Sequence, residues 1–225
     1  MRRRRKDRAM TAIAITATRT STRTLLTAAA AAAPIWTIVS LAQTLTREGY
    51  DITRHPLSQL STGSLGWIQI TNFLVVGALL IAGSFGLRRA LDGKPGGTWA
   101  PRLILVNGLG MLAAGVFVMD PGDGFPVGTP AGAPATMSWH SILHMASGSV
   151  SFIALAAAGF VLGRYFSRTG ARGAAIASRL AGVAVIAGDG WAMSGGRMGS
   201  LTLAIGVTLA MIWVSLVAGH LRKSR

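Results

Sequence analysis

The stretch WIQITNFLVVGALLIAGSFGLRR, residues 67–89, decides the fold. From Trp67 to Leu87 it carries no charge, and Arg88 and Arg89 then end it abruptly. A helix needs about 20 mainly apolar residues to cross the hydrocarbon core of a bilayer, so this segment reads as a membrane span. Runs of similar character lie at roughly 25–44, 102–119, 142–162, 176–193 and 200–219. The expected fold class is therefore all-α: a polytopic membrane protein built as a six-transmembrane-helix bundle.

Composition agrees with this reading. Only 13% of the 225 residues are Asp, Glu, Lys or Arg, against about 25% in ordinary soluble domains. Hydrophobic residues make up 51% and the mean hydropathy is +0.50, which excludes intrinsic disorder for most of the length. The absence of cysteine excludes disulfide frameworks, thiolate metal sites and cysteine nucleophiles.

Lys and Arg exceed Asp and Glu by 22 to 7, a formal charge of +15. Such basicity can mark a nucleic-acid surface, but its distribution here marks orientation. Nineteen basic residues fall in the N-terminal tail, the second and fourth loops and the C-terminus. The other side has only Arg47, Arg54 and Arg197. Positive charge stays cytoplasmic, so both termini are expected in the cytoplasm of a bacterial plasma membrane, with an even number of spans and no nucleic-acid partner. The partners implied are the lipid bilayer and anionic lipid at the cytoplasmic face.

The chain accordingly divides into a basic, disordered tail (1–24), a six-helix transmembrane domain (25–220) and a basic C-terminus (221–225). Ser40-Leu41-Ala42 also admits a competing reading of the first span as a cleavable signal. Gly159 and Gly163 form a small-xxx-small pattern and Gly108, Gly110 and Gly115 line the third span, both suited to close helix packing. Trp67, Trp139 and Trp191 fall at outer span ends and Trp99 at an inner one, as interfacial anchors do.

Once the topology is drawn, the polar residues gather on the outer side. His140 and His144 are one turn apart at the start of the fourth span, a metal-compatible spacing. Asp120 is expected to end the third span, where the helix dipole disfavours a carboxylate and calls for a partner: an imidazole, Arg54, or a shared cation. The first outer loop contributes Asp51, Arg54, His55, Ser58 and Ser61. Histidines plus a carboxylate with an open position suit zinc or another divalent metal that activates water. The expected metal set is therefore His55, Asp120, His140 and His144, with Asp123 or Asp51 as general base and Arg54, Ser58 and Ser61 as binding residues. Asp189, in the fifth span, is a costly intramembrane acid.

The stretch His55-Pro-Leu-Ser-Gln-Leu-Ser61, with Gly66-Trp67-Ile-Gln69, Asn72-Phe73, Gly86-Leu-Arg-Arg89, Ala114-Gly-Val-Phe-Val-Met-Asp-Pro121 and His140-xxx-His144, resembles the actinobacterial branch of a membrane family catalogued as domain of unknown function 998. That resemblance, over roughly residues 28 to 220, implies a six-helix membrane protein and supplies no activity. The Ser, Asp and His inventory is also similar to that of the transmembrane hydrolases that include alkaline ceramidases and adiponectin receptors. Those have seven spans and carry their paired histidines in the last. Three functions follow from the residues: a metal-dependent hydrolase with an outward His/Asp site, a non-enzymatic protein that binds or transports a lipid or small ligand, and a structural or interaction protein.

Overall fold

In the computed structural model, which describes residues 20–224, the chain forms six long helices and, among the described residues, no strand. They are α1 (Thr22–Thr46), α2 (Gly66–Ala90), α3 (Trp99–Val116), α4 (Trp139–Arg168), α5 (Arg172–Met193) and α6 (Gly199–Lys223), with a short 3-10 turn at Leu57–Ser61. Each helix is long and apolar enough to span a membrane. Most of the basic tail lies outside the described residues. α1 nevertheless begins at Thr22, inside the segment expected to be tail, because Ser21 caps it by accepting the Thr24 N–H at 3.1 Å.

Large apolar side chains point outward all around the bundle: Ile38, Leu45, Phe85, Ile153, Leu180, Ile186 and Leu216 are all exposed. A soluble protein does not expose so much apolar surface, and a lipid-facing one must. Inside, Leu26, Trp36, Phe73, Leu80, Ile104, Leu155, Leu162, Val185, Val207 and Val214 form the core.

The helices are arranged as a closed ring in chain order. Each packs on its sequence neighbours and α6 returns to α1. Glycines set the spacing: a Cβ on Gly77 would lie 2.8 Å from the Gly108 carbonyl, and one on Gly108 2.9 Å from that of Gly77. Gly159 meets Ser178 and Gly182 of α5 in the same way, so the small-xxx-small pattern serves packing within the chain. At the closing seam, Ser215 of α6 donates its hydroxyl to the Ala29 carbonyl (2.9 Å) and accepts the Ala33 N–H (3.2 Å), just before Pro34 interrupts the α1 hydrogen-bond ladder.

Both ends of the described chain lie at one end of the bundle. Arg89 at the end of α2 donates to the Thr20 carbonyl (2.7 Å), and Arg222 at the end of α6 reaches Thr27 (3.4 Å). This basic end also carries Arg88, Lys94, Arg168 and Arg172. The opposite end bears the long loops 47–65 and 117–138.

Candidate functional site

The loop end is a folded cap. At its centre Phe125, 1% exposed, sits edge-on to Tyr50 (5.2 Å between ring centroids) and beside His55 (5.5 Å), with the Arg47 guanidinium 5.1 Å over its ring. Arg47 also donates to the carbonyls of Leu60 (3.0 Å) and Thr62 (2.7 Å). Gln59 spans to the other loop through the Gly122 carbonyl (3.0 Å).

This architecture uses the residues expected to hold a metal. The His55 Nδ1 accepts the Asp51 N–H at 2.9 Å, and its Nε2–H donates to the Asp123 carbonyl at 2.9 Å, so neither ring nitrogen is open. The Nδ1–H of His144 donates to the carbonyls of Phe117 (2.7 Å) and Ala114 (3.0 Å), which the end of α3 leaves without helical partners. His140 is exposed and lies against Trp139, ring centroids 3.6 Å apart. Among the described residues no group of three or more His, Cys, Asp or Glu is placed to hold a metal ion. In this geometry His55 and His144 hold loop and helix-end backbone, Asp120 holds the start of α4, and His140 lies exposed against Trp139, so the four are not gathered at one point.

Asp120 is the clearest correction. α3 stops at Val116, four positions earlier than a helix ending at Asp120 requires. Eighteen residues rise only about 27 Å, and the chain continues in extended form. The Asp120 carboxylate then accepts the hydroxyl (2.6 Å) and N–H (2.7 Å) of Ser138, the residue that caps α4. Its partner is a helix start rather than Arg54, which pairs with Asp123. Those Ser138 hydrogen bonds hold its carboxyl below the ordinary carboxylate range.

The two carboxylates expected as general bases are also engaged within the cap. Asp123 forms an ion pair with Arg54 at 2.8 Å, which lowers its pKa, and also accepts the Gly132 N–H. Asp51 accepts the Thr53 hydroxyl and N–H, which lowers its pKa too. Carboxylates stabilised this way are poor proton acceptors near neutrality. Arg54, committed to Asp123, is not a free anion contact. Ser61 closes the 3-10 turn on the Ser58 carbonyl (2.6 Å).

What the fold does build is a chamber of about 250 Å³ inside the ring, reaching from the 3-10 turn to mid-bundle. All six helices line it. Trp36 of α1, Phe73 of α2, Met111 of α3, Phe152 of α4, Met193 of α5 and Met211 of α6 supply an apolar wall in which methionine recurs. Flexible, polarisable methionine side chains let such a wall adapt to different shapes.

Polar groups are few and specific. Of the residues named from sequence, Ser58, His144 and Asp189 line the chamber. Asn107 and Ser151 join them: the Asn107 amide donates to the Ser151 hydroxyl at 2.7 Å, while its Oδ1 has no partner. The Trp36 Nε1 is likewise buried without an acceptor. Sequence reasoning did not place Trp36, Asn107 or Ser151 in a site. The signal available was that Asn107 is an amide within a span, where polar groups are expensive and tend to be functional. A second buried network, in which Gln43 donates to Gln69 at 2.8 Å and Asn72 to Ser40 at 3.2 Å, joins α1 to α2 outside the chamber wall.

These features define a multi-pass membrane protein whose helices enclose an interior chamber beneath a folded loop cap. Residues 30–220 match the family described as protein of unknown function DUF998, and the chain belongs to that family. No curated protein and no solved structure matches it.

Proposed function

We propose that this protein binds a small, predominantly apolar ligand in the chamber within its helix ring, with the loop cap on the outer face of a bacterial plasma membrane and both termini in the cytoplasm. The observation that carries the reading is the chamber itself. Six helices contribute to one cavity whose walls are apolar apart from a few polar side chains, the usual make-up of a small-molecule site. The orientation is supported by the basic end of the bundle, which also suits anionic lipid.

The binding reading is favoured over hydrolysis because the carboxylates and His55 that a hydrolase would use are engaged in holding the loops and the start of α4. The test is equilibrium dialysis of 4-phenylbutan-1-ol, an apolar probe with one hydroxyl, against the full chain in phosphatidylcholine nanodiscs. Saturable uptake at about one probe per protein, above that of empty nanodiscs, is expected for one site. Uptake that only follows the lipid content overturns the reading.

A further inference from the structure

Building on the ligand-binding reading, we infer that the chamber selects a lipophilic cation: an apolar molecule carrying an ammonium group, held by Asp189. The chamber wall contains one acid, Asp189, and no Lys or Arg. Among the described residues the ion pair formed is Arg54–Asp123, in the cap, and Asp189 has neither an ion pair nor a hydrogen bond. A carboxylate within a membrane span is retained when something of opposite charge meets it. Among the described residues nothing of opposite charge meets it, so that role falls to the ligand.

The remaining polar groups favour the same sign. Asn107, 2% exposed, has spent its amide N–H groups on the Ser151 hydroxyl and carbonyl and offers the chamber no free donor. His144 has spent its Nδ1–H on two carbonyls, which leaves Nε2 as the ring's acceptor. An ammonium is a donor three times over and accepts nothing. Trp36, Phe73 and Phe152 add aromatic rings to the wall, and a desolvated cation gains on the order of 2 kcal/mol over such a face. Position agrees: Asp189 lies one turn before the end of α5, toward the negative end of the helix dipole, where a cation is favoured.

The experiment compares 4-phenylbutylammonium with 4-phenylbutan-1-ol, nearly the same in shape and different in charge, on the full chain in zwitterionic phosphatidylcholine nanodiscs. The expected result is that the ammonium binds more than about tenfold tighter than the alcohol. Asp189→Asn removes that preference and Asp189→Glu retains it, with thermal unfolding in the same nanodiscs reporting that each variant is folded. If the two probes bind wild type equally, or the preference survives in Asp189→Asn, the cation inference is overturned and the chamber reading stands. If neither probe binds, the chamber reading falls and the inference with it.

Discussion

Gly148 offers the sharpest test of the chamber. It lies on α4 in the chamber wall, and a Cβ built there meets nothing within 4 Å. Gly148→Leu therefore puts four carbons into space the ligand would occupy. At about 0.8 kcal/mol per buried carbon the lost room costs a ligand about 3 kcal/mol, a loss of roughly a hundredfold in affinity. The fold should not suffer, since replacing glycine by leucine inside a helix gains up to about 1 kcal/mol in propensity. Gly110→Leu is the contrasting variant: its Cβ would lie 2.7 Å from the Ser151 Cβ and 2.9 Å from the Ser147 carbonyl, so it forces α3 and α4 apart. The assay pairs equilibrium dialysis of 4-phenylbutan-1-ol with thermal unfolding in the same nanodiscs. Gly148→Leu is expected to keep or raise the unfolding temperature and lose binding, and Gly110→Leu to lower the unfolding temperature. A Gly148→Leu protein that unfolds like wild type and binds the probe with wild-type affinity refutes the assignment of the ligand to this cavity.

Other consequences concern the scaffold. Gly206→Ala sets a Cβ 2.3 Å from the Ala184 carbonyl at the α5–α6 contact, and a loss of about 1–3 kcal/mol is expected in chemical or thermal unfolding. Ser138→Ala removes the cap of α4 and the partner of Asp120 together, with an expected loss of about 1 kcal/mol read in the same measurement. Acid should loosen the cap. Asp51, Asp120 and Asp123 all have pKa values lowered in the folded state, so their contribution is complete above the unfolded value of about 3.9 and is lost as pH falls through the lower folded values. A thermal midpoint that is flat from about pH 6 to 5 and drops below about pH 4 is expected, with Asp123→Asn flattening part of the drop; a midpoint insensitive to acid contradicts the assigned hydrogen bonds.

The spans were legible because the bilayer imposes a length that composition reveals directly, and the helices run within a few residues of the apolar segments. The helix ends were less so. Val116 rather than Asp120 ends α3, because His144, from a different helix, takes the Ala114 carbonyl and the Phe117 carbonyl just beyond the end, and Ser138 draws Asp120 away. The candidate site was the least legible part. Histidines and carboxylates near one another in the drawn topology looked like ligands, yet His55 and Asp51 bond to loop backbone and Asp123 pairs with Arg54. The chamber is a property of the ring: Trp36, Asn107, His144, Asp189 and Ser200 come from five helices, and no spacing along the chain encodes their meeting. Intramembrane polarity at Asn107 and Asp189 was the trace the chamber left in the sequence.

The ring order bears on how the protein is made. Helices enter the membrane from the N-terminus during synthesis, and here each new helix can pack at once on its predecessor. Closure cannot begin until α6 has emerged, because the seam depends on Ser215 reaching Ala29 and Ala33 across 182 residues or more of chain. Until then the chamber lacks the wall that Ser200, Leu203 and Val207 of α6 supply. The last helix is therefore the one that closes the ring: a chain that ends before α6 leaves the faces of α1 and α5 that α6 covers without a partner.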